Sequence, residues 1–441
     1  MKLYNTLTRK QEILSINNNI INMYICGVTP YASSHIGHAM SSVVFDVLRR
    51  YLEFKGFNVN HIQNFTDIDD KMIQVASELG ISTVELADNN IKSFLTEMDL
   101  LNNLRAKFYP RATEEIDKII EIISNLISKD LAYHNKDGVY FRVDKVENYG
   151  KLSRRTLKDM ISGSRVEVDE NKENSMDFAL WKSKKSGEPF WNSPWGDGRP
   201  GWHIECSAMS IKYLGNTIDI HGGGQDLIFP HHENEIVQSE AFTQEIPFSK
   251  FWLHNGLLRM GSDKMSKSVG NIVLIKDVLN KFSSNAVRMF ILSSHYRSPL
   301  DYSEDNIMGK ENSIKKLYKV LEHTGGVHSN EINDLLESRK QQFINAMDDD
   351  LNTPRAIATI FDLSKDLNQL INKNIDITEG QILLNRLTNV LGIELTNKNK
   401  ESDKDLYLEP LMSILTDIRF ELRNKKEFEL ADKIRSGLYD L

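Results

Sequence analysis

The stretch His35-Ile36-Gly37-His38 follows a short apolar run that stops at Thr29-Pro30, where a helical pattern begins. A helix N-terminus offers unpaired backbone N–H groups and the positive end of the helix dipole, so it favours a phosphate. Two imidazoles one turn apart can donate hydrogen bonds to the same anion. Gly37 between them leaves room for a flat base to approach the backbone. Far downstream, Lys264-Met265-Ser266-Lys267-Ser268 stands between Gly261-Ser262-Asp263 and Gly270-Asn271, a setting with loop composition. Two ammonium groups on such an arm can neutralise charge that builds on an α-phosphate and a leaving pyrophosphate, closing only when the nucleotide is present. Taken singly, the histidines could decorate a helix and the lysines a solvated loop; taken together they describe an ATP site.

The elements that must position these residues read as α/β. Residues 20–28 (IINMYICGV) form a buried strand, and Met40, Val43, Val44, Val47, Leu48, Tyr51 and Leu52 recur at helical spacing until Gly56. A second strand at 58–65 and a helix at 71–79 closing on Gly80 continue the alternation, which predicts a parallel sheet. Helical patterning over 113–131 and an alternating strand at 138–143 begin a different unit, and 172–201 is polar and turn-rich. The α/β pattern returns at 206–221. Beyond about Glu304 the chain is nearly all helical, with breaks at Gly325-Gly326, 352–354 and Gly392, and 394–405 is a polar linker.

Composition narrows the class. The 441 residues suit about three domains. With 54 Lys+Arg against 62 Asp+Glu the net charge is -8, so any RNA contact must use local basic patches. Residues 13–45 lack Asp, Glu, Lys and Arg, yet Asn17, Asn18, Asn19, Asn22, Pro30, Ser33, Ser34, His35 and His38 interrupt them, so no membrane span is expected. Only Cys26 and Cys206 are present, too few for a disulfide framework, which suits a cytoplasmic chain and leaves both as candidate metal ligands.

The pair of signatures, HIGH and KMSKS, on a split α/β domain resembles the class I aminoacyl-tRNA synthetases, which activate amino acids as adenylates. A third constellation uses the two cysteines. Cys26 ends the first strand, Cys206 follows Gly201-Trp202-His203-Ile204-Glu205, and His231 and Glu235 lie in Pro230-His231-His232-Glu233-Asn234-Glu235. With Pro230 as first residue of a helix, His231 and Glu235 would share one face, although His232, three residues from Glu235, could replace His231. Two thiolates, an imidazole and a carboxylate suit zinc, either purely structural or beside the nucleotide site.

These residues are similar to the cysteinyl-tRNA synthetase pattern. The match extends through Thr66-Asp67-Ile68-Asp69-Asp70-Lys71, Tyr109-Pro110-Arg111, Asp177-Phe178-Ala179-Leu180-Trp181-Lys182, His221-Gly222-Gly223-Gly224-Gln225-Asp226 and Met347-Asp348-Asp349-Asp350-Leu351-Asn352-Thr353-Pro354. The resemblance implies one Zn2+ per chain on Cys26, Cys206, His231 and Glu235, binding the thiol of L-cysteine directly and so excluding serine without an editing domain. It implies catalysis by His35, His38, Lys264 and Lys267, ATP contacts from Gly37, Asp226 and Lys267 with Mg2+ on the triphosphate, and an amino-acid pocket that includes Thr29 and Trp202. Trp202 could instead be an ordinary core residue, and Asp226 part of an empty glycine-rich turn. Asp67, Asp69 and Asp70 read as an acidic turn or helix cap rather than a magnesium site.

The organisation expected is a split Rossmann-like parallel sheet, its first half over 1–112 and its second half with the lysine loop over 196–304. A connective insertion over 113–195 separates the halves. An all-α tRNA-binding bundle over 305–393 and a linker with a short anticodon-side segment over 394–441 follow. Lys315, Lys316, Lys319, Arg419, Arg423, Lys425, Lys426, Lys433 and Arg435 are the candidate phosphate-tracking surface, unless they are solvated faces. The expected partners are tRNA(Cys), cysteine and ATP, with no membrane, for a monomer. The alternatives are a cysteine ligase of mycothiol synthesis with an amino-sugar acceptor, and an RNA-binding paralogue without catalysis.

Overall fold

The computed structural model describes residues 1–16, 18–155, 171–260, 263–264, 272–329 and 331–395, with six isolated positions (418, 422, 425, 427, 430 and 432) beyond them. Two units divide the chain, Met1–Glu394 and Leu395–Leu441. The strands of the first are β1 (Lys2–Asn5), β2 (Lys10–Ile13), β3 (Ile20–Val28), β4 (Asn58–Phe65), β5 (Ala132–Asn135), β6 (Gly138–Phe141), β7 (Phe178–Ser183), β8 (Gly198–Pro200), β9 (Ile218–Gly224), β10 (Ser249–Asn255), β11 (Leu258–Met260), β12 (Asp263–Lys264) and β13 (Leu300–Asp301). Its helices are α1 (Ile36–Phe54), α2 (Asp70–Leu79), α3 (Thr83–Leu100), α4 (Ile116–Ser128), α5 (Trp202–Leu214), α6 (Glu233–Thr243), α7 (Ile275–Leu279), α8 (Ser284–Leu292), α9 (Glu304–Leu321), α10 (Glu331–Asp348), α11 (Thr353–Asn372) and α12 (Thr378–Val390).

A four-stranded sheet in the order β10-β9-β3-β4 is the centre, and every pairing in it is parallel. Ile21, Met23, Tyr24 and Ile25 are buried with both faces of β3 covered, which explains the unbroken apolar run. The helix α1 returns the chain from β3 to β4 and buries Met40, Val43, Val44, Val47, Leu48, Tyr51 and Leu52, the stripe visible in the sequence. The two halves of the chain meet where β3 pairs with β9, so connections leave that seam in opposite directions. A crevice opens there at the C-terminal strand ends, the ordinary ligand position of such sheets.

The interruption between the halves builds its own antiparallel sheet, β5-β6-β7-β8, which takes in Gly198–Pro200. Its helix α4 packs Ile119, Ile122, Ile123 and Leu126 into the core shared with Ile204, Ala208 and Ile211 of α5. Past β13 the regular elements of the described chain are all helices. Asn352 caps α11 by accepting from the Arg355 N–H, which explains the break at 352–354. No described helix is long and apolar enough to cross a membrane. Several elements are additional to the sequence reading, among them β7 and β8 inside the stretch read as turn-rich, β10, the β1–β2 hairpin and, before the insertion, α3. That helix buries Leu86, Ala87, Ile91, Phe94 and Met98 but also Glu97, so its stripe is broken.

Arg288 ties the helices to the sheet. Its side chain is fully buried and reaches Asp46 of α1 at 2.5 Å, the Leu391 and Leu101 carbonyls at 3.0 and 2.9 Å, and Asn103 at 2.6 Å. A Cβ on Gly392 would lie 2.1 Å from this guanidinium, and Gly392 has φ +66, so two constraints select glycine there. Arg288→Met leaves the Leu101 and Leu391 carbonyls without this donor and Asp46 with Arg50 as its remaining cation, and is expected to cost about 3–5 kcal/mol in denaturant titration. Arg105→Ala, which breaks the half-exposed pair with Asp99, should cost no more than about 1 kcal/mol.

Candidate active site

A cavity of about 310 Å³ occupies the crevice. Its wall includes Cys26 and Thr29 from the end of β3, Thr66 after β4, Gly224 and Asp226 after β9, and Asn255 after β10. His35, Gly37 and His38 from the start of α1, with Trp202, Cys206 and His231, line it too, whereas the nominated Glu235 is not among the described residues of its wall.

His35 and His38 stack with ring centroids 3.7 Å apart at 19°. The His35 N–H donates to His38 Nδ1 at 3.3 Å. A neutral His38 that accepts at Nδ1 carries its proton on Nε2, and the residue lines the cavity. His35 stands at the N-cap of α1, where the Ile36 N–H is taken by the Val273 carbonyl at 3.0 Å and the His38 N–H by the His35 carbonyl at 2.8 Å, so the helix dipole rather than a row of open N–H groups faces the cavity.

Deeper in the crevice, Cys26 donates to Cys206 with sulfurs 3.8 Å apart, and the Cys26 Sγ lies 3.5 Å from Glu235 Oε1. His231 Nε2 is 3.0 Å from that same oxygen. His232 Nε2 lies 3.3 Å from Cys26 Sγ, and donor atoms of Cys26, His231, His232 and Glu235 all fall within 4.8 Å of one another. All five side chains are buried. The cluster therefore contains the four ligands expected from sequence and also His232, the alternative imidazole. Pro230 does not begin a regular helix: Ile228–His232 makes one wide turn with Phe229 extended, and α6 starts at Glu233. That turn still brings His231 onto Glu235.

Charge in the cluster is suited to a cation. Burial opposes ionisation of Cys206, but the hydrogen bond from Cys26 and the neighbouring His231 bring it down to about 6. Burial pushes the Cys26 thiol up, so the proton of the pair stays there. Burial works against a charged His231, yet Glu235 and Cys206 raise it to about 10, and His221 and His231 hold the buried Glu235 carboxyl well below its usual range. Glu235 Oε2 makes no hydrogen bond, although it lies 3.4 Å from His221 Nε2. Two sulfurs, imidazole and a carboxylate with an orphaned oxygen fit zinc. Supporting rings went unread in the sequence: His232 Nδ1 meets His254 Nε2 at 2.8 Å, and His254 Nδ1 meets Thr6 at 2.8 Å. Only the number of histidines around the predicted ligands could have flagged them.

Trp202 is 41% exposed, so it is not a core tryptophan, and its ring stacks on His231 at 4.4 Å. A Cβ on Gly224 would lie 2.6 Å from Asp226 Oδ1, so glycine lets that carboxylate fold against the backbone. The acidic run resolves into three separate tasks. Asp67 accepts from Thr113 N–H and Oγ1, Asp69 caps α2 through the Met72 N–H, and Asp70 pairs with Lys182 and Arg199. Burial would raise Asp70, but those two cations hold it at about 2. Lys264 has its backbone in β12 opposite Arg259, whereas Lys267 lies outside the described residues. Lys315, Lys316, Lys319 and Lys425 are exposed; Arg419, Arg423, Lys426, Lys433 and Arg435 lie outside the described residues.

Gly27 fixes the approach of β3 to β4, since a Cβ there would lie 1.6 Å from the Asn64 carbonyl oxygen. Gly27→Ala is expected to destabilise the fold by about 1–3 kcal/mol or more in denaturant titration, because the displaced backbone adjoins Cys26.

Residues 12–312 match the family described as tRNA synthetases class I (C) catalytic domain, and residues 342–396 match the DALR domain. Cysteine--tRNA ligase of Dehalococcoides mccartyi (strain BAV1) is 52% identical over 439 residues, 99% of this chain and 96% of that protein. The protein of the same name from Carboxydothermus hydrogenoformans is 45% identical, covering 99% and 96%, and that from Thermotoga maritima is 42% identical, covering 100% and 96%. Among solved structures, Mycobacterium tuberculosis methionyl-tRNA synthetase in complex with methionyl-adenylate shares the fold at TM-score 0.64 and 16% identity, over 84% of this chain and 89% of that one. The LeuRS–tRNA–LeuAMS ternary complex of Agrobacterium radiobacter K84 gives 0.61 at 11% identity, over 85% and 83%.

Proposed function

Since this chain belongs to the cysteine--tRNA ligase family of class I aminoacyl-tRNA synthetases, we propose that it couples L-cysteine to tRNA(Cys) in two steps inside the crevice between β3 and β9. The cysteine carboxylate attacks the α-phosphate of ATP, the bond to the β-phosphate oxygen breaks, and pyrophosphate leaves with Mg2+. The terminal adenosine hydroxyl of the tRNA then takes the cysteinyl group and releases AMP. No covalent enzyme intermediate is required, so the protein works by holding reactants and meeting the developing charge.

Each role falls to a named residue. His38 Nε2–H and the positive end of the α1 dipole are assigned to phosphate oxygens, and His35 holds His38 in place through its N–H. Gly37 and Asp226 line the cavity and are assigned to adenosine. Lys264 and Lys267 are assigned to the pyrophosphate side. Thr29 and Trp202 border the amino acid. Cys26, Cys206, His231 and Glu235 would hold one zinc ion, with His232 as the fifth donor in reach. When bound, zinc supplies a sulfur-preferring Lewis acid at the cavity floor, which favours a thiol over a hydroxyl. The exposed Lys315, Lys316 and Lys319 of α9 are read as tRNA phosphate contacts. In this reading the enzyme is a cytoplasmic monomer, its unpaired cysteines suited to a reducing compartment.

The observation that carries the reading is the convergence of the buried sulfur, imidazole and carboxylate cluster with His35 and His38 on one cavity. ATP–pyrophosphate exchange dependent on cysteine, followed by charging of tRNA(Cys) transcript, tests it. Exchange without charging, but with transfer to an amino sugar, would instead indicate the mycothiol-type ligase. Absence of exchange would leave only an RNA-binding role.

A further inference from the structure

We infer that Phe190, with Lys184 against its ring, is a stacking platform for the single-stranded 3′ end of the RNA. The inference rests on the charging reading above and names side chains that receive the acceptor end. Phe190 is 40% exposed, and Lys184 Nζ stands 3.2 Å from its ring centroid. The exposed ring follows a run of exposed residues, Lys184, Lys185, Ser186 and Gly187. That setting suits a nucleotide base, which has a π-face and brings a phosphate, better than a broad apolar protein face. Lys184 can meet both, the ring by cation–π attraction and the phosphate by charge, on a chain whose net charge of -8 makes a local cation necessary.

The hairpin beneath the ring is fixed. Trp191 exchanges backbone hydrogen bonds with Gly198 at 2.7 and 3.0 Å, and Trp195 meets the buried Trp181 edge-on at 6.2 Å. The nearby carboxylates are engaged: Glu188 with Arg199 at 3.0 Å and Asp197 with Lys184 at 3.6 Å. A backbone held this firmly next to Phe190 limits the freedom lost when a base settles on its ring. The position also suits the task. From Gly198 the chain runs through Arg199, Pro200 and Gly201 into Trp202, which walls the cavity. Those four steps cover roughly 13 Å at about 3.3 Å per extended residue. Three or four nucleotides stacked at about 3.4 Å span a similar distance.

Charging kinetics with tRNA(Cys), and inhibition by the same RNA lacking its terminal single-stranded nucleotides, test this in the full chain. Phe190→Ala is expected to raise the KM for tRNA about tenfold, within the range for loss of one stacked base, while cysteine-dependent ATP–pyrophosphate exchange stays at the wild-type rate. Intact and truncated RNA should bind the wild type with clearly different affinity and Phe190→Ala with nearly the same affinity. Phe190→Trp should restore both the KM and the difference, and Lys184→Ala should weaken tRNA binding and flatten its salt dependence. The inference is overturned if Phe190→Ala charges with wild-type KM, if it still distinguishes intact from truncated RNA as the wild type does, or if its exchange falls in parallel. A wild-type protein without cysteine-dependent exchange would defeat the charging reading itself, a separate result.

Discussion

Cys206→Ala is expected to lower cysteine-dependent ATP–pyrophosphate exchange by about a thousandfold or more and to bring the preference for cysteine over serine down to that of packing alone. Cysteine and serine differ by one atom, and a pocket that discriminates by size alone gains only about 10- to 200-fold. Any selectivity beyond that range must come from a group that prefers sulfur to oxygen, which is the role proposed for a metal held by Cys26, Cys206, His231 and Glu235. The substitution removes a single buried sulfur from α5, whose flanking Glu205, Ser207 and Ala208 are also buried, so the helix itself has no cause to unfold. Tryptophan fluorescence should remain native while metal analysis falls from one equivalent towards zero. Cys206→Ser separates sulfur from size and should behave like the alanine variant. Retention of the wild-type cysteine-to-serine ratio in both variants, with metal lost, would refute the assigned role. His203→Ala gives a useful contrast. His203 reaches His231 Nδ1 at 3.0 Å through its own Nδ1, so its removal should loosen the metal without deleting a donor.

The sequence made the centre of this molecule legible because two physical signals coincide there. The apolar run of β3 is buried on both faces and ends in a turn, and α1 follows with an uninterrupted stripe, so period and breaker agree. The same agreement placed β4 and α2. The buried cluster of sulfur, imidazole and carboxylate was legible for a different reason, since an otherwise cysteine-poor chain puts one thiol near the end of β3 and the other just after Gly201-Trp202-His203-Ile204-Glu205. Legibility failed where position depends on the partner rather than on the segment. Nothing within Glu233–Thr243 tells that its helix starts after a wide turn, because that start is set by packing of His231 and His232 against Glu235 and Cys26. Likewise the tasks of Asp67, Asp69 and Asp70 depend on Thr113, the α2 terminus and the Lys182–Arg199 pair, two of which come from distant parts of the chain. Arg288 could not be distinguished from a surface arginine until Asp46, Leu101 and Leu391 converged on it.

His38 allows the two duties of one imidazole to be separated by substitution. Nδ1 accepts from the His35 N–H and so helps to order the start of α1, whereas Nε2 is the atom to which the proposed phosphate contact is assigned. The amide of asparagine falls near the place of Nδ1, and that of glutamine near Nε2. His38→Asn should therefore keep the cap and the folding stability while losing the donor to phosphate, and His38→Gln should restore part of the donor at the expense of the cap. Removal of one preorganised donor to charge that grows in the transition state costs about 10²–10³ in rate. We expect that loss in the kcat of exchange for His38→Asn, with the KM for ATP changed by less than about threefold, since an interaction made mainly in the transition state lowers kcat and kcat/KM together. His38→Gln should recover at least part of the loss while unfolding at lower denaturant concentration than His38→Asn. The reverse ordering, with His38→Asn unstable yet active, would mean that Nδ1 and not Nε2 faces the nucleotide, and the assignment of the proton on this ring would have to be inverted.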